Sequence, residues 1–389
     1  MTQNADTQTL LYRVRLLLDE GRNEEALSTL QDIRAEDVLQ KEIVYLNGWC
    51  YIQMKQWNLG IQTLMPLLAA ANPPPAEAAV LERERLTLCL LYLGLAAMSL
   101  THYEDASLHL THCLKVLHDR RVHLPVVRIK ARFSLAQTCM IRGLYATAVR
   151  HFEEALRLCH HYNDSRELLA IYYGLCDACC YTNNYEKAIA TGQEALHLCH
   201  ERSDHHMEER TLQLLGEVCL AQKNYLLATQ YYTQSLRLAC DHEDMPIALT
   251  NYIALIDLCV AEKRLDEARS YCDKALNVLE REEIVDGRLR GETYRVLGKM
   301  TQAEALNATG DRWRALLEEA IIWYEKAAQQ TTEDGKPPRI AEIYERWAQV
   351  LEDLGRHQEA LKRWHYAYAL LDESLLNVSE RGEHAEQFR

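Results

Sequence analysis

Four segments of this chain superimpose without a gap at a spacing of 40 residues. They are Leu144–Cys159 (LYATAVRHFEEALRLC), Asn184–Cys199 (NYEKAIATGQEALHLC), Asn224–Ala239 (NYLLATQYYTQSLRLA) and Arg264–Leu279 (RLDEARSYCDKALNVL). An alanine recurs in them at Ala148, Ala188, Ala228 and Ala268. Equivalent small residues extend the series to Ala26, Gly60 and Ala106 upstream and to Ala320 and Ala360 downstream. That makes nine units, with steps of 34, 46, 42, 40, 40, 40, 52 and 40. A unit this short cannot hide an apolar face by itself, so neighbours must stack and bury one continuous core.

Each unit reads as two helices. In the fifth, Arg166–Tyr181 has a helical apolar stripe, Thr182-Asn183-Asn184 makes a turn, and Tyr185–His200 forms the second helix. A small residue belongs where paired helices come closest, because a larger side chain would push their axes apart. Only 15 Gly and 8 Pro punctuate 389 residues, too few for the turns of a sheet-rich protein. The eighth unit is enlarged, with 22 residues from Gly298 to Ala320 where other units have 12. Longer helices, or an extra turn around Ala308–Asp311, are expected there.

The pattern that recurs is a small residue, another twelve later, and a third seven beyond that, with an aromatic or apolar residue between the last two. It stands as Ala136, Ala148, Phe152 and Ala155; as Gly216, Ala228, Tyr232 and Ser235; and as Ala348, Ala360, Trp364 and Ala367. In this the chain resembles the tetratricopeptide repeat (TPR) family, over about residues 7–374. Its 40-residue period departs from the usual 34. It is closer to the longer-helix arrays of kinesin light chains, Leu-Gly-Asn adaptors, maltose-activator regulators and peptide-pheromone sensors. The resemblance implies an all-α, right-handed superhelical solenoid of about nine units, residues 1–374, with 375–389 as a polar C-terminal cap or tail.

Cys176-x-x-Cys179-Cys180 raises the question of a thiolate site. However, Cys139, Cys179, Cys219 and Cys259 are themselves 40 residues apart, so they occupy one structural position and sit a whole unit from each other. Cys159 and Cys199 share another position, held by Ala239 and Leu279 in later units. Interchange of Cys, Ala and Leu marks a small apolar filler. No metal and no cofactor is expected. His109, His112, His118 and His123, with the pairs His160-His161 and His205-His206, are expected to be solvated, the pairs in loops between units.

With 43 basic and 57 acidic side chains, a net charge of −14 repels phosphate backbones, so direct nucleic-acid binding is not expected. No run approaches the roughly 18 apolar residues of a membrane span. The polar start and the odd count of 13 cysteines in helical segments suggest no secretory leader and a reducing, cytoplasmic location. Gly-rich phosphate loops, Gly-x-Ser-x-Gly and His-Glu-x-x-His are all absent, and no catalytic residues are expected.

The resemblance also implies that the first helices line a concave groove. Carried over by position, its lining is Tyr45, Trp49 and Gln53; Phe133 and Gln137; Tyr173, Asp177 and Tyr181; Gln213 and Glu217; Asp257; Arg295 and Lys299; and Gln349. Aromatic rings and amides together suit an extended or helical peptide. Arg295 and Lys299 are candidates for receiving its acidic groups. The expected function is therefore a non-catalytic scaffold for a protein or peptide. The alternative is a bacterial regulator-type sensor whose superhelical pitch changes on binding.

Overall fold

The computed structural model describes residues 2–33, 37–69, 79–118, 122–162, 166–281, 286–331 and 337–386, with side chains omitted at some ends of these segments. Among the described residues there are eighteen helices and no strand. The first ten are α1 (Thr2–Asp19), α2 (Asn23–Gln31), α3 (Asp37–Gln53), α4 (Trp57–Ala69), α5 (Ala79–Ser99), α6 (Tyr103–Val116), α7 (Pro125–Ile141), α8 (Tyr145–Tyr162), α9 (Leu168–Tyr181) and α10 (Tyr185–Arg202). The rest are α11 (His205–Ala221), α12 (Tyr225–Asp241), α13 (Met245–Ala261), α14 (Leu265–Arg281), α15 (Gly287–Ala305), α16 (Gly310–Thr331), α17 (Pro337–Asp353) and α18 (His357–Glu386). They form the nine pairs that the repeat demands. The chain divides into two compact units, Met1–Leu198 and Cys199–Arg389.

Within each unit a helix packs on the next helix in sequence or on the next but one. The odd-numbered helices approach each other backbone to backbone, α1 to α3 and on to α9 in the first unit and α11 to α17 in the second. Among the described residues the even-numbered ones meet through long side chains instead, as Lys187 of α10 does with Glu153 of α8. The layer of first helices is therefore the tighter one, on the inside of each unit's bend.

The turns inside the pairs follow one template. In eight of the nine units the residue five before the second small residue has a left-handed backbone: Gly21, Lys55, Thr101, Gly143, Asn183, Lys223, Lys263 and Gly355. That twist lets the next amide reach back to the final turn of the first helix. Leu144, Asn184, Asn224 and Arg264 donate at 2.8, 2.9, 2.8 and 2.8 Å to the carbonyls of Cys139, Cys179, Cys219 and Cys259. This closure satisfies a carbonyl that the helix leaves orphaned. The repeated cysteine thus marks the place where the chain reverses, with its side chain buried in each case.

A side chain other than glycine costs about 1–2 kcal/mol in this conformation. Lys263→Gly, copying Gly143, is expected to gain about 0.5–1 kcal/mol once the looser unfolded chain is allowed for. A higher urea midpoint at unchanged slope is the signature to look for.

The first small residue of a pair is a notch for a side chain of the second helix. A methyl placed on Gly216 would lie 2.7 Å from the Tyr232 ring, and one on Gly298 would lie 2.8 Å from Tyr324. Side-chain insertion, rather than contact of bare backbones, is what demands the small residue. The eighth unit has longer helices, as expected: α16 begins ten residues before Ala320, whereas α12 begins three before Ala228. The expected tail after residue 374 continues as helix in α18 to Glu386.

Candidate functional site

In the first unit the first-helix layer carries an uneven row of rings. Tyr45 is buried, with ring centres 6.2 Å from Trp49 and 6.4 Å from Tyr92. Burial pushes its hydroxyl pKa well up, which fits a core residue. Trp49 is partly buried and stacks on Tyr92 at 5.7 Å, while Gln53, one helical turn on, is also partly buried. Phe133 packs 6.1 Å from Phe152 of α8, and Gln137 is partly exposed one turn further on.

The α9 face is the most open part of this row. Tyr173, Asp177 and Tyr181 stand four residues apart, on one face of the helix. Tyr181 is 55 % exposed and stacks flat on Tyr145 of α8, with ring centres 4.4 Å apart. Asp177 makes no hydrogen bond or ion pair among the described residues, and burial raises its carboxyl pKa to about 6. Among the described residues, a carboxylate half-withdrawn from water between two tyrosines lacks the cation it would ordinarily face.

In the second unit the row is satisfied from within. Gln213 of α11 donates at 3.0 Å to Glu217, and Gln349 of α17 donates at 3.3 Å to Asp353. The expectation that Arg295 and Lys299 receive a ligand's acidic groups is corrected here. Arg295 is 1 % exposed, and its guanidinium donates to Asp257 at 2.8 Å and Glu292 at 2.9 Å, with Glu342 at 3.7 Å. Lys299 binds the other oxygen of Asp257. The basic pair is neutralised inside the fold, clamping α13, α15 and α17 together.

Eleven of the thirteen thiols are buried, while Cys180 is half-buried and Cys240 exposed. Cys176, Cys179, Cys139, Cys219 and Cys259 are buried, and burial pushes each thiol pKa up. This is the reverse of what a nucleophilic or metal-binding thiolate needs. Cys113 points its sulfur at the Thr87 carbonyl, 3.4 Å away, while His112 and His118 are exposed. The two histidine pairs fall in helices instead of loops. His160 and His161 end α8, and His205 and His206 open α11.

These paired helices, with small-residue notches and a common left-handed turn, are matched by one family profile. The MalT-like TPR region covers residues 89–308, more than half of the chain. The chain belongs to this family. No match was found among curated protein sequences. Among solved structures, this MalT-like TPR chain is similar to the apo form of the quorum sensor NprR from B. thuringiensis. The identity is 17 %, the TM-score 0.67, and 94 % of this chain and 99 % of that one are covered. The apo form of RapI gives 10 % identity and a TM-score of 0.67 over 94 % and 98 %. NprR in complex with its cognate peptide NprX gives 16 % and 0.50 over 90 % and 98 %. At such identities the likeness shows the fold. Among the described residues, no helix is long and apolar enough to cross a membrane.

Proposed function

We propose that this MalT-like TPR chain is a non-catalytic binding protein for peptides or peptide-like segments carrying a basic group. The observation that carries the reading is the α9 face, where Asp177 faces no cation between Tyr173 and Tyr181. A lysine, an arginine or a free amino terminus would restore the missing charge, and the two rings would give it desolvated contact area. The peptide complex of NprR supports the choice of ligand class. The net charge of −14 argues in the same direction, towards cationic partners and away from nucleic acid. A reducing, cytoplasmic setting fits thirteen cysteines that all remain thiols.

Screening a displayed peptide library against the whole protein tests this. Selected peptides are expected to share a basic residue. Asp177→Asn and Tyr181→Ala, checked for unchanged helical content, are each expected to weaken binding at least tenfold, an effect of the size of an interface hot spot. Selection of peptides indifferent to both substitutions would remove the α9 site. The sensor reading is favoured by packing limited to neighbours, which lets a bound segment alter the pitch. X-ray scattering with the tightest peptide distinguishes them: a fixed radius of gyration means a scaffold, a changed one a sensor.

A further inference from the structure

A buried carboxylate stands where the repeat calls for leucine. Glu209 of α11 is 1 % exposed, whereas its repeat equivalents at spacings of 40 are Leu169 and Leu249, exposed by 5 % and 0 %. Placing a carboxylate in a leucine position costs several kcal/mol, of the order of a buried ion's desolvation, unless both of its oxygens are engaged. One is engaged: Oε1 accepts from Nδ1 of His242 at 2.6 Å. The other, Oε2, is buried and has no partner among the described residues.

The surroundings of Glu209 are rich in donor atoms. His206 lies one helical turn before it on α11, and Asp244 caps the start of α13. Ligand-capable atoms of His206, Glu209 and Asp244 all lie within 4.8 Å of one another. Nδ1 of His206 and Oδ2 of Asp244 are 3.0 Å apart, while Oδ1 of Asp244 accepts from the Ile247 amide at 3.2 Å. One carboxylate oxygen of Asp244 thus fixes the helix start and leaves the other turned to the imidazole. His242 does the same for Glu209, holding one oxygen and leaving the second. Outer hydrogen bonds of this kind orient metal-binding carboxylates.

We infer that His206, Glu209 and Asp244 form a binding site for a divalent transition-metal ion of the zinc class. An imidazole with two carboxylates matches the donor preferences of zinc, nickel or cobalt better than those of magnesium or calcium. Bonds of about 2.0–2.2 Å need only a modest contraction of the three groups. Two carboxylates neutralise the ion's charge. The His206 side chain is 61 % exposed and that of Asp244 23 %, so the mouth opens to solvent and water completes the coordination. Glu209 alone supplies the buried wall. The competing role for Glu209 is the hydrogen bond to His242 alone, which needs no metal.

The test uses the full chain without an affinity tag, titrated with Zn2+ by calorimetry and with Co2+ by visible absorption. One equivalent is expected to bind, raising the melting temperature, and Mg2+ is expected to bind far more weakly. His206→Ala should weaken Zn2+ binding at least tenfold. Glu209→Leu restores the repeat's own residue, so it should fold, melt higher than the metal-free parent, and lose the site. His160→Ala, remote in sequence and exposed, should change nothing. Absence of a stoichiometric site would overturn the inference, as would tighter binding of Mg2+ than Zn2+. Undiminished binding by His206→Ala or Glu209→Leu would do so as well, since scattered surface histidines would then account for the uptake.

Discussion

Replacing Arg295 by methionine is expected to remove about 3–5 kcal/mol of stability at neutral pH, the cost of breaking a buried ion pair from one side. Methionine fills much of the same space, so the loss reports charge rather than a cavity. Asp257 and Glu292 would stay partly buried, one facing only Lys299 and the other only Arg339. Burial by itself pushes both carboxyls up. The Arg295 charge, with Lys299 at Asp257 and the Arg339 hydrogen bonds at Glu292, outweighs burial and holds each below its usual range. A depressed folded-state pKa contributes stability that is present above the unfolded value, near 4, and is lost as pH falls through the folded value. The gap between parent and variant should accordingly be widest at neutral pH and narrow on acidification below about pH 4. Urea unfolding at pH 7.5 and pH 3.5 gives both numbers. A variant that unfolds at the parent's midpoint would show that the clamp holds nothing together.

Arg295 also shows where reading by register stops. Counting from the small residues put it in the same position as Tyr173 and Gln213, and that placement along the helix is right. Register says nothing about where a long, flexible side chain goes. This one folds back across the layer, because carboxylates at Asp257, Glu292 and Glu342 surround it from α13, α15 and α17. Glu342 lies 47 residues away in sequence, beyond any pattern carried within one unit. The paired helices and the packing role of the repeated cysteines were legible because each recurs and can be checked against its own copies, whereas the left-handed turn and the use of the small residue as a notch for a ring were not. Glu209 was passed over, although the same logic in reverse would have found it. It breaks a column of leucines, and a break in a repeat is a signal that motif searching misses. Its partners could not be read, since His206 and Asp244 come together only once the first turn of α11 lies beside the cap of α13.

The opposite sign is expected at Asp177, where asparagine should stabilise the protein by about 2 kcal/mol at pH 7.5. The carboxyl titrates near 3.8 when solvated and at about 6 in the folded chain, with burial as the cause. A tenfold change in acidity is worth about 1.4 kcal/mol, and less where the group keeps some access to solvent. A raised folded-state pKa contributes stability that is complete below the unfolded value and is lost as pH rises through the folded one. The parent should therefore weaken relative to Asp177→Asn between pH 4 and pH 6. Above about pH 7 the difference should level off, with the two converging again below pH 4. Thermal melts at half-unit steps of pH resolve the curve. Equal melting temperatures at pH 7.5 would mean that Asp177 is better solvated or paired than the fold describes, and the α9 site would lose its charge. The same substitution should weaken binding of a basic peptide, and lowering the pH of the parent from 7 to 5 should weaken it too, by protonating the group that receives the cation. Stability and binding then move in opposite directions on one atom's charge, as expected when a residue is kept at a cost to the fold for what it holds. A structural role for Asp177 would move both the same way.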